Sequence, residues 1–400
     1  MSKIPKLRFK EFSENWEEKK LSQFSKIERG KFTPRPRNNP IYYNGNIPFV
    51  QTSDVVKSKG RINLFTQTLN NKGLQVSKLF TKGTILITIA ANIGYSGILE
   101  IDMACPDSLI GLTCDDETYN VFLNYLLEIE QPKMDYLAID NAQKNINIDF
   151  LKPYKFQLPM LEEQKKIASF LTSIDKKIEQ LSKKESLLKE YKKGVMQKLF
   201  NQEIRFKADD GSEFCDWEEV KLGKLLKESK VKSTSSGQYE VLSSTKDNIV
   251  LQSEYFNREI ASKDNTGYKI LKVNQLVFSP QNLWMGNINV NTKYNVGIVS
   301  PSYKIYDFKQ NLLVGYGKYF LKTSRMMYEY GQASEQGASV VRRSLNIDLF
   351  NSIKVSLPCV KEQNKIANFL SSIDTKLEQV QKQLEQAKEF KKALLQQMFV

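Results

Sequence analysis

Histidine is missing from all 400 residues of this chain. Its absence excludes histidine general bases, Ser-His-Asp and Cys-His nucleophile pairs, and every zinc site that needs an imidazole ligand. Cysteine is scarce as well: the four cysteines include no Cys-x-x-Cys pair and are too few for a disulfide framework at this length. We therefore expect reduced thiols in a cytosolic protein.

Long apolar runs are also missing. The longest, residues 83–91, has the length of a strand and falls well short of the roughly 18 residues that cross a bilayer. The first residues show none of the apolar stretch that marks a secretion signal. The sequence therefore predicts no membrane-spanning segment and a cytoplasmic location.

The motifs of common enzymes are absent in their complete form. Gly315–Lys318 lacks the loop length and hydroxyl residue of a nucleotide-binding P-loop. Asn39–Tyr42 lacks the second proline of an amino-methyltransferase motif, and we interpret it as a turn. Pro106-Asp107 has no nearby Glu-x-Lys to complete a two-metal nuclease site. We predict no catalytic residue and no metal ligand in this chain.

What the chain does have is positive charge. Lysine and arginine number 59 against 45 aspartates and glutamates, which leaves a formal charge of +14. Such an excess favours a polyanionic partner, either nucleic acid or an acidic membrane surface. The 40% hydrophobic and 26% charged residues are an ordinary globular composition, and the length predicts two or three domains.

The chain also repeats itself. Residues 158–180 recur 199 residues later as residues 357–379, with about two thirds of the positions identical, a period far too long for a solenoid. The Asn-Ile-Asp at 147–149 recurs at the same offset, and Arg8-Phe-Lys with Trp16 recurs as Arg205-Phe-Lys with Trp217. Between these shared ends the halves diverge. The repeat predicts a duplicated unit of one domain and one helix, related by pseudo-two-fold symmetry.

Each shared block has the spacing of a coiled-coil helix. Apolar residues continue at an average interval of 3.5 residues for about five heptads beyond Pro159 and Pro358. The predicted seam residues are Ile167, Leu171, Ile174, Ile178, Leu181, Ile366, Leu370, Ile373, Leu377 and Leu384. Two ordinary amphipathic helices, each packed on its own domain, are the alternative. Polar Glu185, Lys192 and Lys391 also fall on the seam, where they either specify register or mark where the helices splay or meet a partner.

The segments between the helices have the pattern of mixed α/β domains. We predict strands at 47–50, 84–89, 108–113, 276–279 and 302–306, and helices at 120–129 and 313–330. The predicted fold class is α+β, with two such domains alternating with two long helices that form an antiparallel coiled coil. The predicted segments are residues 1–157 and 201–356 for the domains, and 158–200 and 357–400 for the helices.

Cationic and amide side chains cluster in the predicted loops. Lysine and arginine contact phosphates, while arginine, asparagine and glutamine read base edges, so these clusters favour nucleic acid. For any single residue, a solvated basic surface is an equally good interpretation. The candidates in the first domain are Lys31, Arg35, Arg37, Asn38, Lys57, Lys59, Arg61, Gln143, Lys144 and Asn145. Those in the second are Lys230, Lys232, Gln281, Asn282, Gln336, Ser339, Arg342 and Arg343. Trp284 either stacks on a base or fills the core.

With both helices starting Leu-Pro-x-x-x-Glu-Gln-x-Lys-Ile-Ala-x-Phe-Leu-x-x-Ile-Asp, the chain resembles the specificity subunit of type I restriction–modification enzymes. The resemblance implies two target recognition domains, each reading one half of a split, asymmetric DNA site. It implies antiparallel helices that set the half-site spacing and dock two modification subunits, which methylate adenine N6 with S-adenosylmethionine. Restriction subunits using ATP and magnesium would join them, and this chain would hold no cofactor.

Two other functions stay open at this point. One is a coiled-coil adaptor whose basic domains bind nucleic acid without sequence preference. The other is an enzyme in its own right, which methyl transfer or cleavage by the purified chain would reveal.

Overall fold

A computed structural model describes residues 4–139, 145–256, 262, 264–336 and 343–399. The chain divides into two units. Unit 1 is Met1–Ser182 with Lys382–Val400, and unit 2 is Lys183–Gln381. In the described part of the chain, no helix is both long enough and apolar enough to cross a membrane.

The elements that start in unit 1 are mostly short strands. The strands are β1 (Glu17–Lys20), β2 (Ser25–Arg29), β3 (Tyr43–Phe49), β4 (Arg61–Ile62), β5 (Gln67–Leu69), β6 (Lys78–Phe80), β7 (Ile85–Thr88), β8 (Ser96–Leu99), β9 (Met103–Cys105), β10 (Leu109–Cys114) and β11 (Lys155–Leu158). The helices are α1 (Leu21–Phe24), α2 (Thr52–Lys57), α3 (Asn71–Gln75), α4 (Asn120–Ile139), α5 (Ile148–Leu151) and the 40-residue α6 (Leu161–Phe200).

Unit 1 is built on a five-stranded sheet in the order β2-β10-β7-β8-β4 and a four-stranded sheet in the order β5-β3-β9-β6. Side chains alternate between the two faces of a strand. Ile85 and Ile87 of β7 therefore pack with Phe122 of α4 in one apolar cluster, while Leu86 packs in another. Burial on both faces explains why Ile85, Leu86 and Ile87 follow one another without a polar residue between them.

The remaining elements start in unit 2. Its strands are β12 (Glu218–Lys221), β13 (Leu226–Ser229), β14 (Leu242–Ser244), β15 (Ile249–Leu251), β16 (Lys269–Lys272), β17 (Leu276–Phe278), β18 (Ile288–Val290), β19 (Val296–Val299), β20 (Lys304–Phe308), β21 (Ser334–Gln336), β22 (Arg343–Leu345) and β23 (Lys354–Leu357). Its helices are α7 (Gln252–Tyr255), α8 (Val314–Phe320), α9 (Ser324–Gln332), α10 (Ile347–Ser352) and α11 (Val360–Gln397).

The main sheet of unit 2 has the order β13-β20-β17-β18 and repeats the two-sided burial. Leu276 and Phe278 of β17 pack in the larger apolar cluster, and Val277 packs in the smaller one on the opposite face. The mixed sheets and the two long helices confirm the predicted fold class.

The predicted strands lie within a few residues of the observed ones, but one predicted helix is wrong. Residues 313–330 form two helices, α8 and α9, because the Thr323 side chain accepts a hydrogen bond from the Met326 amide and starts a new helix there. Asn39–Tyr42 is a turn as predicted. It contains a single 3-10 turn, Pro40–Tyr42, and the Asn39 side chain accepts a hydrogen bond from the Ile41 amide.

The glutamate of the repeated Glu-Gln in each long helix anchors the leading segment of its domain, residues 8–16 in unit 1 and 205–217 in unit 2. In unit 1, Arg8 donates two hydrogen bonds of 2.7 Å to the buried Glu163 carboxylate, and the Trp16 indole donates a third at 3.4 Å. In unit 2, Arg205 donates to Glu362 at 2.8 and 3.1 Å, and Trp217 donates at 3.2 Å. The shared Arg-Phe-Lys and tryptophan therefore recur because the buried glutamate recurs.

The neighbouring glutamine closes the start of each long helix. Gln164 Nε2 donates to the Pro159 carbonyl at 2.9 Å, and Gln164 Oε1 accepts the Tyr119 amide at 2.9 Å. Gln363 makes the equivalent bonds to the Pro358 carbonyl at 3.0 Å and from the Leu313 amide at 2.9 Å. Both amides thus join the helix start to the loop that precedes a helix of the same domain.

Within each unit the start of one long helix packs with the end of the other. In unit 1, Ile167, Leu171 and Ile174 of α6 share an apolar cluster with Leu394 of α11 and with Met398 and Phe399 beyond its end. In unit 2, Ile366, Leu370 and Ile373 of α11 share a cluster with Leu199 of α6. The two helices therefore run antiparallel in both places. Of the other predicted seam residues, Leu377 and Leu384 are buried, while Ile178 and Leu181 are partly buried.

The polar seam residue of unit 1 is Lys391, which is paired inside the unit. Its ammonium lies 3.0 Å from both Glu128 and Asp175 and 5.3 Å from the centre of the Tyr125 ring. The Tyr125 hydroxyl donates to Asp175 at 2.6 Å. Although burial opposes it, the charges of Glu128 and Asp175 raise the pKa of Lys391 above its ordinary value.

Unit 2 repeats this Lys–Asp–Tyr cluster. Lys192 pairs with Asp374 and lies 5.0 Å from the Tyr319 ring centre, while the Tyr319 hydroxyl donates to Asp374 at 2.6 Å. Glu185 accepts a hydrogen bond from Gln381 at 2.9 Å. All three polar seam residues are therefore satisfied within their own unit, which favours the register role left open by the sequence.

Replacing Lys391 with methionine should destabilise the chain by about 1–3 kcal/mol, because it leaves Asp175 half-buried without its cation. Urea unfolding of the full chain measures the loss. The matched control is Lys388→Met, an exposed lysine on the same helix, whose replacement should change stability by less than about 0.5 kcal/mol. Equal effects of the two substitutions would contradict the register role.

Candidate nucleic-acid interface

A basic loop follows β2 in unit 1 and is fixed against the turn between β9 and β10. Gly30 starts it, and a Cβ there would lie 2.1 Å from the Pro106 carbonyl oxygen, so only glycine permits this approach. Arg37 donates to both Asp107 carboxylate oxygens at 2.7 and 3.0 Å, and Arg29 donates to the Asp107 carbonyl at 2.7 Å. The loop is thus held in one position.

The predicted side chains of this loop differ in their surroundings. Arg35 donates to the carbonyls of Phe32 and Pro34 and lies 3.9 Å from Asp107, while its side chain stays 59% exposed. Lys31 and Asn38 are exposed. Asp107 neutralises part of the positive charge, so Arg35 and Arg37 are oriented cations, whereas Lys31 contributes charge from an exposed position.

Lys57, Lys59 and Arg61 are all exposed around the turn between α2 and β4. Lys59 and Gly60 have positive φ angles of 50° and 92°, which make this turn tight. Arg61 pairs with Glu100 at 2.7 Å. The turn therefore presents a second group of cations in the same unit.

Sequence reasoning missed an open cavity of about 400 Å³ beside the basic loop. It is lined by Asn38 and by residues that were not singled out, among them Asn44, Phe65 and Gln67. The next residue along, Leu64, is 78% exposed. No short motif joins these residues, because they meet only through the β3–β5 pairing. They add amide and apolar groups next to the cations.

Unit 2 carries its own lysine cluster. Lys230 and Lys232 are exposed. The backbone of Lys232 forms an isolated antiparallel β-bridge with Lys269 of β16. Burial, followed by the charge of Lys304, lowers the pKa of Lys269, with smaller contributions from Lys230 and Lys232. Glu228 lies 2.7 Å from Lys304 and 3.8 Å from Lys230, so it offsets part of the positive charge of this cluster.

Arg343 of β22 stacks on Trp284. Its guanidinium carbon lies 4.2 Å from the ring centre of Trp284, and its backbone amide donates to the Gln281 carbonyl at 3.2 Å. The single helical turn Leu283–Met285 carries the indole and is anchored by the buried Leu283. Trp284 is partly exposed. It therefore orients an arginine, a role that neither sequence interpretation included.

Several predicted residues cannot be placed in this site. Gln143, Lys144, Ser339 and Arg342, and the side chain of Gln336, lie outside the described residues. Gln281 is exposed and Asn282 is partly buried, both on the Trp284 turn. Asn145 is exposed and forms a β-bridge to Ala90, just beyond β7. The described residues hold no group of three or more Cys, Asp or Glu that could bind a metal ion.

Comparison with known proteins shows what this chain is similar to. Residues 13–190 match the model of a type I restriction modification DNA specificity domain. A putative type I restriction enzyme MjaX specificity subunit from Methanocaldococcus jannaschii is 25% identical, with 96% of this chain and 93% of that protein covered. The type I restriction enzyme MjaVIII specificity subunit from the same organism is 24% identical, with 96% and 91% covered.

Two solved structures share the fold. The S subunit of a type I restriction-modification system from M. genitalium has a TM-score of 0.59 at 18% identity, and 99% of each chain is covered. A chain from a study of complex assembly and conformational transition of the type I R-M system has a TM-score of 0.55 at 13% identity, with 95% and 96% covered.

The domain match, the relatives matched over nearly their whole length and the shared fold agree with one another. They also agree with the duplicated helix-start motif that pointed to this family. Residues 13–190 therefore match a type I restriction modification DNA specificity domain, and the chain is similar over nearly its whole length to specificity subunits of type I restriction enzymes.

Proposed function

We propose that this chain is such a specificity subunit and reads a bipartite, asymmetric DNA site, with the domain at residues 1–157 reading one half and the domain at 201–356 reading the other. One observation carries the proposal. The two units repeat the same Arg–Glu–Trp anchor and the same Lys–Asp–Tyr cluster, whereas their basic loops differ in sequence and structure. A shared framework with unlike loops suits two readers of different sequences.

Contacts to phosphate and contacts to bases call for different side chains. Lys57 and Lys59 are exposed ammonium groups suited to phosphates, and they would give binding that weakens steeply with salt. Arg343 and Arg37 have planar guanidinium groups held by Trp284 and Asp107. An arginine held in this way can present two donors to guanine O6 and N7, the commonest specific contact in the major groove.

The repeated helices also suggest how partners bind. Lys177, Glu179 and Gln180 of α6 recur as Lys376, Glu378 and Gln379 of α11, and all six residues are exposed. Core packing does not require identity at exposed positions. We infer that these residues dock two copies of one partner, the modification subunit, with the helix segments 158–200 and 357–400 setting the spacing between half-sites. S-adenosylmethionine would belong to that partner, and ATP with magnesium to restriction subunits.

A domain exchange tests the bipartite reading. Replacing residues 1–157 by the corresponding domain of a relative should change one half of the methylated motif and leave the other half intact, because each domain reads alone. Methylome sequencing of the host measures both halves at once. Exchanging residues 201–356 is the reciprocal control, and an unchanged motif after both exchanges would contradict the proposal.

If Arg343 reads guanine, replacing it with alanine should weaken DNA binding by about 1–3 kcal/mol. The loss should appear only for duplexes that carry the native base at the position that Arg343 reads. Trp284→Leu should show a smaller loss at the same position, because it frees the guanidinium. Binding of assembled complexes to a panel of single-base variants of the duplex measures this. Lys57→Ala is the control and should weaken all duplexes equally. If Arg343→Ala weakens binding to every duplex equally, Arg343 contacts phosphate. If the unmutated chain binds every duplex with equal affinity, it is the non-specific adaptor.

Charge reversal on the exposed repeat tests the docking surface. Lys177→Glu should weaken one modification-subunit site by about tenfold, and the double variant with Lys376→Glu should weaken both, because each lysine lies on one copy of the surface. Native mass spectrometry of the reconstituted complex counts the bound subunits. Lys184→Glu is the matched control, since this exposed lysine has no counterpart at Gln383. Unchanged stoichiometry in the double variant would contradict the proposal.

A further inference from the structure

Each long helix carries an exposed aromatic ring in its second half, at the same place in the repeat. Residues 189–193, Lys-Glu-Tyr-Lys-Lys, recur 199 residues later as residues 388–392, Lys-Glu-Phe-Lys-Lys. Tyr191 of α6 and Phe390 of α11 therefore correspond, and each is 53% exposed. Because Tyr191 belongs to unit 2 and Phe390 to unit 1, each unit has one of these two rings.

The coiled coil does not require an aromatic residue at this heptad position. The residues seven positions before and after each ring are polar and exposed, namely Lys184, Lys198, Gln383 and Gln397. A position that tolerates lysine and glutamine on either side is not part of the apolar seam. The two rings therefore need a reason other than the packing of α6 against α11.

The repeat keeps the ring and not a hydrogen-bonding group, since phenylalanine lacks the hydroxyl of tyrosine. Single exposed apolar residues are ordinary on protein surfaces. Leu187, 54% exposed and one turn before Tyr191, is such a residue, because its counterpart is Gln386. An aromatic ring left half-exposed at the same place in both copies is instead typical of the anchor residues of protein interfaces.

In unit 1 the ring lies beside the exposed repeat proposed above to dock a partner. The ion pair between Lys391 and Asp175 places the turn that carries Phe390 next to residue 175 of α6. Phe390 and Lys177 each come immediately before a seam residue. In an antiparallel helix pair such positions flank the same side of the seam. The Phe390 ring and Lys177 are therefore neighbours on one side of the helix pair.

Unit 2 has the same arrangement with the helices exchanged. Lys192 pairs with Asp374 and places the turn of Tyr191 next to residue 374 of α11. Tyr191 and Lys376 again both precede a seam residue, and both are exposed. An aromatic ring from the end of one helix and a repeated lysine from the start of the other thus form one surface in each unit. A surface repeated in this way suits two copies of one partner.

We propose that Tyr191 and Phe390 are apolar anchors for two copies of the modification subunit, each ring entering an apolar pocket on one copy. The inference rests on the docking part of the proposed function and adds the kind of contact that holds the partner. Lys193 and Lys392 are exposed two residues after the rings. An acidic rim around the partner's pocket would complement these lysines.

The test titrates the full-length chain with the purified modification subunit of the same system and counts bound subunits by native mass spectrometry. Tyr191→Ala should weaken one of the two binding steps by about 30-fold, the effect of losing an interface anchor, and Phe390→Ala should weaken the other. Tyr191→Phe should restore binding because it restores the ring. Leu187→Ala is the matched control and should change affinity by less than about threefold, as for most residues outside an anchor.

Equal effects of Tyr191→Ala and Leu187→Ala would overturn the inference and leave the docking proposal standing. Loss of binding in Tyr191→Phe would also overturn it, because the hydroxyl would then be the contact. If the chain alone forms dimers that Tyr191→Ala dissociates, the ring packs on a second copy of this chain and the inference is wrong. If the unmutated chain binds no modification subunit, the proposed docking itself fails and the inference fails with it.

Hydroxyl-radical footprinting of the unmutated chain gives a second readout that does not depend on how well any variant folds. Both rings should be oxidised in the free chain and protected in the complex with two modification subunits. Mass spectrometry of the digested chain measures the oxidation of each ring. Equal oxidation of Tyr191 and Phe390 in the free chain and in the complex would overturn the inference.

Discussion

A buried carboxylate at the start of each long helix constrains the rest of the molecule. Glu163 and Glu362 are 1% and 0% exposed, and an isolated charge in such a place is strongly unfavourable. Arg8 and Arg205 supply the opposite charge through bidentate hydrogen bonds. A tryptophan donates a further hydrogen bond to each glutamate. Separating the arginine from the glutamate would leave a buried charge unpaired. This ion pair therefore holds the leading segment and the long helix together in each unit.

The need to pair buried polar groups at the helix starts explains why the residues there repeat in both units. Residues that neutralise or cap the helix starts, such as Gln164 and Gln363, cannot change without leaving buried polar groups unpaired. Loops such as the one around Arg37 carry no such obligation and differ between the units. The electrostatic requirement at the helix starts therefore accounts for the part of the two units that repeats.

How far the sequence could predict the structure depended on the range of each interaction. The long helices and the buried strand β7 follow from local periodicity, which the residues themselves display. Arg8 and Glu163 are 155 positions apart, so local periodicity could not predict that they pair. The sequence indicated the pair only indirectly, because both residues recur in the second half. The break between α8 and α9 turned on one threonine side chain, and the Arg343–Trp284 stack on two segments that meet only in the folded unit.

The core of unit 1 includes Leu394, Met398 and Phe399, and the Phe399 ring lies 5.3 Å from Phe122 and 6.2 Å from Trp16. The ribosome makes these residues only after all of unit 2. During synthesis the earlier domain must wait with an open apolar cleft, a state prone to association with other nascent chains. Unit 2 faces no such delay, since its α6 residues precede it. Unit 2 can therefore complete its core before unit 1 does, although unit 1 is translated first.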